Sequence, residues 1–370
     1  MQAVILVGGE GTRLRPLTSL HPKPVIQLVD RPFMVFMLEW LRGHGVDDVV
    51  LSCGFLPTKI EEALGDGSAL GIRLRYVTEP EPRGTAGALK YAEDLLEDRF
   101  LMLNGDVLTD VDVSAQLRQH EATGAVGTLG LVPVEDPSAY GLVLTRDGGE
   151  VTGFLEKPGH DELVGIDEYL ISAGIYVLER AVLDRIEPDR NVSIEREVWP
   201  ALVGNGLYGF AARDAYWLDI GTPQRYLDGT FDIVDGNVRT AVLDRLGEGS
   251  LAVDGGATLE GRVLGPGVVG AGTRVGTGSS VGPQVVLGRG VEVGRGTRIE
   301  RAVVLDGAVV GAGCELRDCI VGPGARIGDR TVVRELAMVG EGAVVGDDCV
   351  LAAGMKLFPG VELPDGAVKF

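Results

Sequence analysis

The sequence predicts an α/β fold in two halves: a mostly parallel sheet wound with helices, followed by a parallel β-solenoid. Three observations predict it. Up to about Asp235 short β-rich runs alternate with helical patterns; beyond Leu251 an aliphatic residue recurs at every sixth position; and 26 of the 56 glycines fall in the last 120 residues. The first pattern is that of a sheet covered by helices on both faces. The second and third are those of a repeat architecture with tight corners.

In the first half "QAVILV" (2–7), "DVVLSC" (48–53), "IRLRYVTE" (72–79) and "RFLMLNGD" (99–106) read as strands. The stretches "PFMVFMLEWLRGHG" (32–45) and "TAGALKYAEDLL" (85–96) read as the helices between them. Ligands of such sheets bind beyond the carboxyl ends of the strands. The segments "GGEGTR", "TEPEPRGTAG" and "NGD" all lie at such ends, on one expected rim.

In the second half the aliphatic series runs from Val263 through Val269, Val275, Val281, Leu287 and Val293 to Ile299. It steps by five to Val304, Val310 and Leu316, and by five again to Val321, then continues in sixes to Leu363. Three sides of six residues make a coil of about eighteen. The pattern resembles the left-handed parallel β-helix of hexapeptide-repeat proteins. The expected domains are 1–235, a connector 236–250, and 251–370 for the β-helix.

Composition narrows the function. A formal net charge of −20 argues against a nucleic-acid or anionic-membrane partner and requires that cations for any polyanionic ligand be concentrated locally. No apolar run approaches the ~20 residues of a membrane span, and the five-residue run Ala3–Val7 is too short for a signal-peptide core. Cys53, Cys314, Cys319 and Cys349 show no disulfide or metal spacing, so a reduced, cytoplasmic protein is expected.

The loop "LVGGEGTRLRPLT" (6–18) lacks the lysine of a Walker A motif and the third glycine of a dinucleotide fingerprint. What it offers is backbone N–H groups that can converge on phosphate, with Arg13 as a fork-shaped donor. Two of the six lysines, Lys23 in "HPKPV" and Lys157 in "FLEKP", stand in similar contexts. Asp106 in "LNGDVL" and Asp219 in "YWLDIGTP" each end a short apolar run, as paired carboxylates for Mg²⁺ would. The four histidines, His21, His44, His120 and His160, lie in no apparent catalytic context.

These segments carry a resemblance. "GGEGTRLRPLT", "PKP", "GTAGAL", "NGD", "FLEKP", "SIEREVWP" and "WLDIGTPQRYL", in this order and ahead of the repeats, resemble the sugar-nucleotide pyrophosphorylases. The similarity is strongest to their mannose-1-phosphate guanylyltransferase branch and covers essentially the whole chain. It implies a Rossmann-like nucleotidyltransferase domain ahead of the β-helix, and the reaction NTP + sugar 1-phosphate → NDP-sugar + pyrophosphate. A phosphate monoester with a second pKa of ~6 is already ionised at neutral pH and needs no base. The work is then positioning and charge neutralisation.

The resemblance assigns Leu6, Gly8, Gly9, Gly11, Thr12, Arg13, Glu79, Gly84 and Thr85 to the nucleotide. Arg13 would stabilise the leaving pyrophosphate, and Lys23 would neutralise charge near the α-phosphate. Asp106 and Asp219 would hold Mg²⁺. Gly141, Glu156, Lys157 and Ser172 would contact the sugar phosphate. Glu79 matches the position facing the base, and a carboxylate suits guanine's two donors. GTP and mannose 1-phosphate are therefore the expected substrates, with a glucose-1-phosphate enzyme using UTP, dTTP or ATP as the alternative. Related chains usually carry Asn where Ser172 stands, so broader sugar tolerance is expected. For Arg15 a rim salt bridge is expected.

The repeats contain no histidine, which argues against a second, acyltransferase activity. A homo-oligomer through the β-helix is expected. A regulatory subunit that only binds the sugar nucleotide would be expected to lack some of Arg13, Lys23, Asp106 and Asp219, and all four are present.

Overall fold

The computed structural model describes residues 1–368, and the chain divides into two compact units. The first comprises Met1–Gly9 and Met34–Leu218, the second Glu10–Phe33 and Asp219–Phe370.

The first unit is built on a nine-stranded sheet: β1 (Gln2–Val7), β2 (Asp48–Cys53), β3 (Arg73–Thr78), β4 (Arg99–Asn104), β5 (Gly127–Pro133), β6 (Gly141–Thr145), β7 (Val151–Glu156), β8 (Leu170–Glu179) and β9 (Leu207–Ala211). The order is β7-β6-β8-β4-β1-β2-β3, with β5 also against β8 and β9 against β5. Strands β4, β1, β2 and β3 are mutually parallel and in step: Leu6 faces Asn104, Val7 faces Cys53, and Cys53 faces Thr78. Their carboxyl ends therefore share one rim. Strand β8 runs antiparallel to β4, with Ile175 opposite Leu103, so its amino-terminal end reaches the same rim.

Helices α1 (Phe33–Gly43), α2 (Pro57–Leu64), α3 (Gly84–Tyr91) and α4 (Val113–Thr123) connect the strands. Val4, Val50, Phe100 and Met102 form one core with Ala86 and Leu89 of α3. Ala3 and Ile5, which point to the other face, are equally buried, so the sheet is covered on both sides. The sequence pattern extends the second helix to residue 96; α3 instead ends at Tyr91. The N–H of Ala92 is shared among the last carbonyls, and a separate 3₁₀ turn, Glu93–Leu95, follows.

The second unit carries the solenoid, whose short strands are all parallel, consistent with a left-handed β-helix. Partners lie one coil apart: Val275 pairs with Val293, Val293 with Val310, Val310 with Ile327, and Ile327 with Val345. The aliphatic series forms the inner column, from Val269 through Leu357 buried and its outermost members Val263 and Leu363 partly so. Two kinds of glycine make the corners. At Gly294 a Cβ would lie 2.5 Å from the carbonyl carbon of Gly311 in the next coil, so stacking excludes a side chain. At Gly296 a φ of +66° excludes most of them.

Both five-residue steps are absorbed at a single corner. Strands Arg298–Val304 and Glu315–Val321 run straight through it. Arg301 and Asp318 there take φ of +48° and +45°, and they pair at 2.7 Å. A neighbouring corner carries a ladder of small polar side chains. The hydroxyls of Ser279, Thr297 and Thr331 each donate to a carbonyl of the next coil. Cys314 and Cys349 occupy rungs of the same ladder, which accounts for two of the four buried, free thiols.

Segment 10–33 and helix α6 (Pro223–Asp235) pack on this solenoid; α5 is the short turn Trp199–Leu202 of the first unit. Helix α6 begins with Thr222, whose hydroxyl accepts the Arg225 N–H at 3.3 Å, followed by Pro223, and ends at Gly236 with φ +84°. It lies on strands 267–269, 298–304 and 315–321. Among the described residues no helix is long and apolar enough to cross a membrane.

Candidate functional site

In the first unit the predicted residues gather along the rim. Gly8 follows β1, and Gly54 follows β2 so closely that a Cβ on it would lie 2.8 Å from the Gly8 carbonyl oxygen. Glu79, which follows β3, lies beside this close approach; its Oε1 is 3.7 Å from where a Gly8 Cβ would stand. The buried Ser52 hydroxyl donates to Glu79 Oε1 at 3.1 Å, and the Arg83 N–H donates to Oε2 at 3.3 Å. Its orientation is thus fixed from two sides. Cys53 beside it is no nucleophile. Burial, together with the Glu79 and Glu61 carboxylates, pushes its thiol up to about 12.

Gly105 hangs the next turn on the end of β1. Its N–H donates to the Leu6 carbonyl at 2.9 Å, and a side chain there would collide with Val7. Asp106, half-buried, follows directly. Strand β8 is bulged between Ser172 and Tyr176. Gly174 in the bulge, at φ +72°, packs on the Asn104 side chain. The Ser172 hydroxyl lies 3.0 Å from that of Tyr176, which is fully buried against Trp199. Burial, with the Glu195 carboxylate nearby, raises the Tyr176 phenol well above its usual range, so it remains protonated.

A further set of contacts ties the sugar-phosphate candidates to this bulge. Gly141 pairs with Glu156 across β6 and β7, and a Cβ on Gly141 would meet the Phe154 ring at 2.5 Å. Lys157, at φ +53°, donates its N–H to the Tyr140 carbonyl; its ammonium lies 3.9 Å from Glu156. Tyr140 stacks edge-on against Trp217, whose indole N–H donates to the Ala173 carbonyl at 2.8 Å.

Gly84 opens α3 at φ +69° with its Cα against the Val192 carbonyl. The Thr85 hydroxyl is already engaged: it donates to Glu195 at 2.8 Å and accepts the Ile194 N–H at 2.8 Å. Thr85 therefore has its backbone rather than its hydroxyl to offer a nucleotide.

In the second unit Gly11, at φ +62°, turns the loop into the 3₁₀ segment Thr12–Leu14. Its carbonyl accepts the Thr18 hydroxyl at 2.7 Å, and a Cβ on it would press on Thr18 and on the buried Lys23. Arg13 and Asp219 come together at Gly221. A Cβ at Gly221 would stand 3.0 Å from an Arg13 nitrogen and 2.9 Å from an Asp219 oxygen. Asp219 also pairs with Arg225, a cation that lies within the quoted "WLDIGTPQRYL" but that sequence reasoning did not single out. Arg15 forms the expected rim salt bridge, with Glu10 at 3.1 Å. Ser52, Gly54 and Tyr176 also escaped the sequence reading, because only strand pairing reveals their neighbours.

The glycine-led turns at the parallel strand ends of the first unit, and the Arg13–Asp219 pair with the buried Lys23 in the second, are arrangements that can position phosphates. The comparisons agree. The chain belongs to the nucleotidyl transferase family: the family model described as "Nucleotidyl transferase" matches residues 2–236, and one described as "GMPPB C-terminal domain" matches residues 263–364. It is 40% identical to a protein of Mycobacterium tuberculosis named mannose-1-phosphate guanylyltransferase, over 100% of this chain and 98% of that one. It is also 40% identical to the mannose-1-phosphate guanyltransferase of Schizosaccharomyces pombe, over 62% of this chain and 63% of that protein. The crystal structure of HddC from Yersinia pseudotuberculosis covers 63% of this chain and 99% of its own, with a TM-score of 0.55 at 26% identity.

Proposed function

We propose that this chain transfers the guanylyl group of GTP to mannose 1-phosphate, forming GDP-mannose and releasing pyrophosphate. The observation that carries the reading is 40% identity, across essentially two whole chains, to a protein named for that reaction. An oxygen of the sugar phosphate attacks the α-phosphorus in line, and the bond from the α-phosphorus to the bridging oxygen breaks. The electron pair leaves with pyrophosphate. No proton needs to move, which suits a set of candidate residues without histidine.

In this reading the N–H groups from Gly8 to Thr12 wrap the phosphates. Arg13 takes up charge on the departing pyrophosphate, and Lys23 does so near the α-phosphate. Glu79, oriented by Ser52 and Arg83, accepts from the two donors on guanine's pairing edge. Glu156 accepts from sugar hydroxyls, Lys157 grips the sugar phosphate, and the Gly141 N–H supports it. The Ser172 hydroxyl already faces Tyr176 and is shorter than an Asn amide, which favours tolerance of glucose 1-phosphate beside mannose 1-phosphate.

Asp106 and Asp219 are proposed as Mg²⁺ ligands. Carboxylate oxygens are the hard donors that Mg²⁺ prefers. Two carboxylates would leave the remaining octahedral positions to phosphate oxygens and water, as Mg²⁺ usually takes them. Bound there, Mg²⁺ would neutralise phosphate charge.

The test is pyrophosphate release from GTP and mannose 1-phosphate. Release that needs Mg²⁺, stops on chelation and falls about 100-fold or more in Asp106→Asn is expected. A folded Asp106→Asn variant with unchanged kcat would remove Asp106 from the site.

A further inference from the structure

The phosphate loop is held from the far end of the chain. Segment 10–33 lies along one edge of the β-helix, and three side-chain contacts fix its course. The Gln27 amide donates to Asp306 at 3.0 Å, His21 meets Glu341 at 2.7 Å, and the Lys356 ammonium donates to the Arg13 carbonyl at 3.0 Å. Asp306 and Glu341 stand two coils apart at the same corner, since Gly324 bonds back to Asp306 and Gly342 to Pro323. Lys356 lies in the following coil, where Leu357 pairs with Val339. The segment thus ascends the edge against the coil order, delivering Arg13 to the last rungs.

The Arg13 carbonyl is the one this arrangement has to satisfy. Carbonyls 11, 12 and 14 accept the N–H groups of residues 14, 15 and 17. The donor due to carbonyl 13 would be residue 16, which is a proline and has no N–H. Lys356 supplies the missing donor. It is one of only two lysines in residues 251–370.

We propose that the last coils of the β-helix are a positioning element for the phosphate loop, with Lys356 as the positioning residue. By holding the carbonyl of Arg13 it sets the direction of the Arg13 guanidinium beside Asp219. The proposal rests on the reading that Arg13 stabilises the leaving pyrophosphate. An exposed ammonium–carbonyl bond contributes little to global stability, whereas a small displacement of a charge-stabilising group costs rate.

The experiment uses the full chain, with pyrophosphate release at saturating GTP and a thermal melt for each variant. Lys356→Met is expected to lower kcat about three- to tenfold while KM for mannose 1-phosphate and the melting temperature stay unchanged. Lys356→Arg, which keeps a donor, should restore kcat. In an Arg13→Ala background Lys356→Met should have no further effect, because the two act as a unit. An unchanged kcat in Lys356→Met, or the same loss with and without the Arg13 side chain, would overturn the positioning role. Full activity in Arg13→Ala alone would instead sink the reading of the phosphate loop, and the proposal with it.

Discussion

Glu79 shows how one side chain acquires a task from its neighbours. Ser52 and the Arg83 N–H take one lone pair on each oxygen, and what remains is an acceptor-only edge. Gln at this position would present a donor as well. Glu79→Gln is expected to lower the ratio of kcat/KM for GTP to that for UTP by about tenfold or more, since a lost buried partner is a strong discriminator. Unchanged relative values across the four nucleotides would remove Glu79 from base reading. Arg13 was legible as a phosphate donor because it sits in a glycine-punctuated loop after a strand, whereas Glu79 was legible only through the family resemblance. Ser52 was not: inside "DVVLSC" it reads as one more strand residue, and only the parallel register of β2 and β3 brings it to Glu79. Thr85 was legible as a nucleotide candidate through the resemblance, yet its hydroxyl bond to Glu195 depends on a contact 110 residues away.

At the scale of elements, the edge of the sheet is fastened by Asp48. It opens β2 and accepts from Gln2 at 3.2 Å, Arg73 at 2.7 Å and Arg75 at 2.8 Å. Burial pushes its carboxyl up, but Arg73, Gln2 and Arg75 together outweigh this and hold it below the usual range. Its contribution is therefore complete above the unfolded value of about 4 and is lost as pH falls through the lowered folded value. Asp48→Asn is expected to cost ~1–3 kcal/mol in urea unfolding at pH 7, with the gap to the parent chain closing below about pH 4. A gap that persists undiminished at pH 3 would mean the loss is steric. The β-helix was the most legible element, because a period of six leaves the same residue type inward in every coil. The accommodation of the five-residue steps was hidden, since nothing in "IERAV" or "LRDCI" announces a left-handed Arg301 or Asp318.

Over the whole molecule, a chain with net charge −20 gathers its few relevant cations into short segments, as binding a polyanion requires. Segment 10–33 holds Arg13 and Lys23 and belongs to the same compact unit as Asp219 and the solenoid. That arrangement could not be read from chain order, because its contacts join residues 279 to 343 positions apart. It gives the β-helix a part in placing the phosphate loop. A matrix of four nucleotides against mannose and glucose 1-phosphates, read as pyrophosphate released with Mg²⁺, tests the proposed reaction most directly. GTP with mannose 1-phosphate should give the highest kcat/KM, with glucose 1-phosphate accepted more weakly. Release from UTP, dTTP or ATP with GTP inert, or no release from any pair, would contradict it.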